Sequence, residues 1–348
     1  MAIKEKKSSE NRAKSKSEPA GSTHVVTLVE AVNLALRRAM TDSPEVIILG
    51  EDVGLNGGVF RATEGLQAEF GYKRVLDTPL AESLIAGISV GMATQGMRPV
   101  AEIQFMGFIY AAVEHILCHA ARMRNRTRGR LSCPMVIRAP FGGGIHAPEH
   151  HSESTEAMFA HIPGLRVVIP SSPTRAYGLL LSAIQDPDPV LFLEPKRIYR
   201  MVRQQVVDDG QGLPLDTCFT LRQGQDITLV SWGAMVHETL LAAKQLASEG
   251  IEAEVIDVAT ISPLDMDTII QSVEKTGRCV IIQEAARSGG IGSEISARIS
   301  EEALLYLQAP VRRVTGWDTP MPYPKNEHLY MPCVEDIIDA VRKTLEGV

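Results

Sequence analysis

Helix-periodic stretches alternate along the chain with short continuous apolar runs. From 28 to 40 apolar residues recur at steps of three and four, which predicts a helix, whereas Glu45-Val46-Ile47-Ile48-Leu49 has the length and branching of a buried strand. A glycine-rich loop with a short helix follows over 55–76, then a helix opened by Asp77-Thr78-Pro79-Leu80-Ala81-Glu82. The alternation continues with a strand at 99–105, a helix at 109–124, a strand at 135–138, a loop at 140–156, a strand at 165–169, a helix at 174–185 and a strand at 190–194. Strands separated by helices imply an α/β fold, a mostly parallel sheet with helices on both faces.

Residues 196–224 break this rhythm with polar, Gly and Pro content, and a linker is expected at 201–224. A second α/β unit then runs through strands at 227–231, 253–258, 279–283 and 311–315, with helices at 236–248, after Pro263, at 291–305 and at 334–345. The expected organisation is a disordered tail over 1–22, a first domain over 23–200, the linker, and a second domain over 225–348. The tail is a Lys/Glu/Ser mixture with almost nothing to bury.

The helix near Glu82 organises the rest. Thr78 suits a cap and Pro79 the first helical position, which places Glu82 in the first turn, where the helix dipole favours negative charge. Ser83 to Ala93 is almost wholly apolar or small, so a buried helix is expected, with Gly87 and Gly91 allowing close approach of a neighbour.

Apolar content of 45% and charged content of 22% are those of a soluble globular chain, and a net charge of −7 argues against nucleic acid as the main partner. No apolar run is long enough to cross a bilayer and no signal core is present, so a cytoplasmic place is expected. The five cysteines are scattered without a Cys-x-x-Cys pair, which suits reduced thiols. His146, His150, His151 and Glu149 crowd one loop, but its glycines and Pro148 deny the helix on which a zinc-binding histidine pair would share a face. Gly290-Ile291-Gly292 approaches a dinucleotide fingerprint, yet Ile295 stands where the third glycine belongs.

Gly50-Glu51-Asp52-Val53, the run Gly57–Leu66, Asp77–Glu82 and Glu102-Ile103-Gln104-Phe105 occur in that order. This wording resembles the beta subunit of the thiamine-diphosphate-dependent decarboxylating component of 2-oxo acid dehydrogenase complexes, from about residue 25 to the C-terminus. The resemblance implies a thiamine-diphosphate pyrimidine-binding domain followed by a transketolase-like C-terminal α/β domain. It implies that Glu82 bonds the aminopyrimidine ring nitrogen, that Phe108 and Gln104 line the pocket beside it, and that Glu51 is an acid connecting the cofactor sites near a subunit contact. It further implies that His151, in the His151-Ser152 element of an active-site loop, positions substrate and moves protons during lipoyl acylation, with His146 and His150 as runners-up. A potassium ion, carried over from relatives, falls at Ala183, Asp186 and Asp188. The arginines from Arg122 to Arg130 are read as a solvated face or as ion pairs near the subunit contact.

Thiamine diphosphate also needs its diphosphate held through magnesium, commonly by Gly-Asp-Gly with a later Asn. No Gly-Asp-Gly occurs in the sequence. The resemblance therefore implies half a site, completed by an alpha subunit in a two-alpha, two-beta heterotetramer, with a lipoyl-bearing acyltransferase as a further partner. The runs 57–70 and 142–154 are most similar to pyruvate enzymes, and 188–196 to the branched-chain (2-oxoisovalerate) relatives. Acetoin-cleaving complexes are a third substrate class.

Overall fold

The computed structural model describes residues 21–347. Of the expected tail only Gly21 and Ser22 fall among them, and Ser22 already belongs to a strand; the rest of the tail lies outside the described residues. The strands are β1 (Ser22–Val26), β2 (Val46–Gly50), β3 (Val75–Asp77), β4 (Arg98–Glu102), β5 (Val136–Phe141), β6 (Arg166–Val168) and β7 (Val190–Pro195). They continue as β8 (Gln204–Asp208), β9 (Phe219–Arg222), β10 (Ile227–Ser231), β11 (Ala253–Asp257), β12 (Thr260–Ser262), β13 (Cys279–Ala286) and β14 (Arg312–Gly316).

Among the described residues the larger sheet runs β12-β6-β7-β5-β4-β2-β3, parallel except for β12 against β6. The second runs β14-β13-β10-β11-β9, parallel except for β9. Strands β2, β5, β7, β10 and β11 are buried along their whole lengths, because helices cover both faces of each sheet. The first helix, Leu28–Asp42, is opened by a capping box in which Glu30 accepts from the Thr27 backbone N–H at 2.7 Å. It packs along Pro173–Gln185, whose N-terminus is capped by Ser172.

Several expectations change. The helix at Glu82 spans Glu82–Thr94 with Ala81 in the flanking position, so Thr78 and Pro79 neither cap it nor start it. The Thr78 N–H donates instead to the Gly50 carbonyl at 2.9 Å, which keeps the chain extended past β3. Nor is this helix buried all round within the chain: Ile85, Ala86, Ser89 and Ala93 face inward, while Leu84 and Ile88 face out. The segment expected as one helix over 109–124 is a 3-10 turn (Met106–Ala112), a π-helical turn (His115–Ala120) and a short α-helix (Met123–Arg126). The period-free stretch 201–224 carries β8, paired antiparallel with β1, and β9, an edge of the second sheet. β8 buries only Val206, too little to print a pattern on the sequence.

Candidate active site

In the parallel sheet the carboxyl ends of β2, β3, β4, β5 and β7 share one edge, where ligands of open α/β sheets gather. Glu51 follows β2, Glu82 follows β3, Gln104 and Phe108 follow β4, the loop 142–155 follows β5, and Lys196 follows β7. β2 ends at Gly50, whose φ of 158° is extended backbone, and a side chain there would meet the Glu102 carbonyl oxygen at 2.8 Å.

Glu51 and Glu82 come together. The buried Glu51 carboxylate accepts from the Ala81 backbone, the residue just before the Glu82 helix, and its Oε1 has no partner. Burial first, and then the charge of Glu82, push its pKa above the ordinary value. Glu82 itself is half-buried at the helix mouth, and its carboxylate forms no hydrogen bond or ion pair with a described residue. The half-buried Gln104 amide is likewise unbonded.

A second group forms around aromatic rings. Phe108 lies 5.3 Å from the His151 ring and 5.2 Å from that of His150, and Phe105 meets His151 edge-on at 4.6 Å. His151 Nδ1 is sealed without a partner, so Nε2 is the ring nitrogen open to a ligand. The 3-10 turn bearing Phe108 packs on the Glu82 helix on one side and on the turn Glu149–His151 on the other, linking the carboxylates to the histidine. His150 and His146 are exposed, and His146 lies 3.8 Å from Glu327.

The loop is fastened to the second lobe by two carboxylates that sequence reasoning missed. Glu284 accepts from the Gly143 N–H at 2.5 Å and the Ser154 hydroxyl at 2.7 Å. Glu327 accepts from the N–H groups of Gly144 (2.6 Å) and His146 (3.0 Å). Gly142, at φ +85°, must be glycine here, because a Cβ would sit 2.8 Å from the Glu284 carboxylate. Lys196 was also missed. It is 4% exposed, its ammonium is 5.7 Å from the Phe105 ring centre, and it has no hydrogen-bond partner. Burial lowers its pKa to about 7, opposed by the charges of Glu284, Glu153 and Glu327. Beneath the edge, Arg138 on β5 holds Glu102 on β4 (2.9 Å) and Glu194 on β7 (2.6 Å), and Tyr199 donates to Glu194 at 2.6 Å. A lone charge inside an apolar strand, as in Met135-Val136-Ile137-Arg138-Ala139, is the sequence signal for such buried pairing.

The residues expected at a potassium site lie apart from this edge. Asp186 accepts from Arg166 (2.9 Å) and Asp188 from Arg124 (2.8 Å), while the Ile184 and Asp186 carbonyls accept from Arg98 at 2.8 and 3.2 Å. Ala183 is buried in the helix that precedes them. Among the described residues no three His, Cys, Asp or Glu side chains are grouped to hold a metal ion.

Fold and site together define a two-lobed chain of the transketolase class. The transketolase pyrimidine-binding domain family matches residues 24–202, and the transketolase C-terminal domain family matches residues 217–337. The pyruvate dehydrogenase E1 component subunit beta of Bacillus subtilis is 50% identical over 321 residues, covering 92% of this chain and 99% of that protein. The protein of the same name from Acholeplasma laidlawii is 49% identical over 319 residues, covering 92% and 98%. A solved structure described as a split-gene transketolase, inactive beta4 tetramer, superposes with a TM-score of 0.77 at 25% identity, covering 93% of this chain and 99% of that one. The chain belongs to the family of pyruvate dehydrogenase E1 component beta subunits.

Proposed function

We propose that this chain is the half of a pyruvate-decarboxylating, lipoyl-acylating enzyme that holds the pyrimidine end of thiamine diphosphate, and that an alpha subunit supplies the rest in a two-alpha, two-beta assembly. One observation carries the reading: Glu51, Glu82, Gln104 and His151 converge on a single sheet edge with hydrogen-bonding atoms unused, beside the Phe108 ring.

The residues fit the pyrimidine end of the cofactor and not its diphosphate. The Glu82 acceptor and the Gln104 amide suit an aminopyrimidine, and Phe108 offers it an apolar face. The sequence lacks Gly-Asp-Gly, and the diphosphate with its magnesium is assigned on this reading to the alpha partner. The bound cofactor supplies a carbon nucleophile and an electron sink for decarboxylation.

What this chain does is orient and hold protons. Glu82 would accept a hydrogen bond from the aminopyrimidine ring nitrogen and so would orient the ring and hold a proton at that atom. Glu51 keeps a second acid beside Glu82, its own pKa raised by burial and then by the charge of Glu82. His151 presents Nε2 to the substrate side, and its ring is fixed by Phe105 and Phe108, so it moves a proton from one set position during acyl transfer to a lipoyl-bearing acyltransferase.

The test is co-purification with an alpha partner, then decarboxylation of pyruvate beside 3-methyl-2-oxobutanoate and acetoin. Turnover with pyruvate only in the two-subunit assembly is the expected result. Preference for the branched substrate or for acetoin overturns the substrate, and turnover by this chain alone overturns the shared site.

A further inference from the structure

A cavity of about 560 Å³ lies where the two lobes meet, and none of its lining residues belongs to the sheet edge described above. Its walls are mainly apolar, with Gln204 and His237 among them: Ile198 and Val202 follow β7, Leu221 is on β9, and Leu240 is on the helix Met235–Ser248. At its polar end is Arg175, in the first turn of Pro173–Gln185.

The surroundings of Arg175 leave its charge under-used. The side chain is 20% exposed, and its guanidinium carbon lies 3.6 Å from the Phe219 ring centre. Its nearest acid, Asp257, is 4.0 Å away, beyond hydrogen-bond reach, and Nε is sealed without a partner. No side-chain donor of Arg175 is hydrogen-bonded to another described residue. Asp257, fully buried, has one oxygen accepting from Ser171 at 2.5 Å and the other unpartnered, and it does not line the cavity. Only Nε is closed off; the two outer nitrogens keep access to solvent at the cavity and are free to donate to an anion that enters it. The cation–π contact and the loose ion pair compensate the charge only in part.

We propose that this cavity binds a small amphipathic monocarboxylate, its head on the Arg175 guanidinium and its short hydrocarbon tail against Ile198, Val202, Leu221 and Leu240. The planar fork of arginine matches a carboxylate in two parallel hydrogen bonds. A single guanidinium with Asp257 close behind it favours one negative charge over the two of a phosphate monoester. The volume falls in the ~300–1,000 Å³ range of small-molecule pockets. Because the walls come from both lobes, the ligand also stabilises the junction between them.

Calorimetric titration of hexanoate into the chain co-purified with its alpha partner tests this, with hexylamine and hexyl phosphate as comparison probes. Hexanoate should bind saturably at one site per chain, hexylamine should not, and hexyl phosphate should bind more weakly than hexanoate. Arg175→Gln should weaken hexanoate binding about tenfold or more. Leu240→Trp fills the tail end without touching Arg175 or Asp257 and should weaken it comparably, and it decides the matter if Arg175→Gln fails to fold. Absence of saturable hexanoate binding, or affinity kept within about twofold in Leu240→Trp, overturns the site. Tighter binding of hexyl phosphate overturns the carboxylate as its head group.

Discussion

On the proposed reading Glu82 serves as an acceptor because its oxygens are bonded by no other described residue, although it stands at a helix mouth beside a second, buried acid. Glu82→Gln keeps the shape and replaces the acceptor that orients the pyrimidine. Turnover of the assembled enzyme should fall by roughly 10²-fold or more, the range of a lost proton-transfer partner, while the melting temperature stays close to that of the parent. Glu156 is a different case. Burial raises its pKa to about 7, the Trp232 N–H bonds one oxygen at 3.2 Å, and the other has no partner. Its folded pKa lies above the usual 4.5, so the neutral form stabilises the fold and that contribution is lost as pH rises from about 4.5 through about 7. Denaturant melts of Glu156→Gln should therefore show a smaller loss of stability between pH 5 and pH 8 than the parent, by up to a few kcal/mol. Glu82, Phe108 and His151 were named through the family resemblance, and the structure brings Phe108 beside His151 on the turn that packs against the Glu82 helix. Glu284 was not legible in the sequence, since its partner Gly143 is 141 positions away and nothing in the neighbourhood of either residue announces the other.

The loop 142–155 illustrates what an element adds to its residues. Its glycines and Pro148 announced a loop, but its fastening comes from Glu284 and Glu327 in the other lobe, and its seat from Gly107. A Cβ on Gly107 would overlap the carbonyl oxygen of His150, which is backbone and has no rotamer to escape into. Gly107→Ala should consequently shift the turn Glu149–His151 and reduce turnover severalfold, although residue 107 has no side chain to offer the chemistry; parallel melts and kinetics check this. The stretch 109–124 shows the limit of periodicity. Spacing of apolar residues reveals that a segment coils, whereas the choice among 3-10, π and α hydrogen bonding is made by packing against the Glu82 helix and the sheet. Thr78 and Pro79 misled for a related reason, because backbone pairing with Gly50 outweighs a favourable capping sequence.

For the whole molecule, the outward face of the Glu82 helix matters most. Leu80 is 81% exposed, and Leu84 and Ile88 beside it are open as well, more apolar surface than a lone chain tolerates well next to its site. Ile88→Asp should leave the fold intact and prevent stable assembly with the alpha partner, visible as separate peaks in size-exclusion chromatography of the co-expressed pair. The alternation of strands and helices foretold both lobes, while the way they interlock was hidden, because pairing between distant short strands leaves no local pattern. β12 is the telling piece. It comes from the far side of the linker, yet its Thr260 and Ser262 pair with Val168 and Val167 at the border of the larger sheet, and the Ile169 N–H reaches back to the Ala259 carbonyl at 2.7 Å. A gene cut at the loop before β9 would thus yield an N-terminal fragment with a raw, adhesive β6 flank, and the two pieces should stay soluble only when made together.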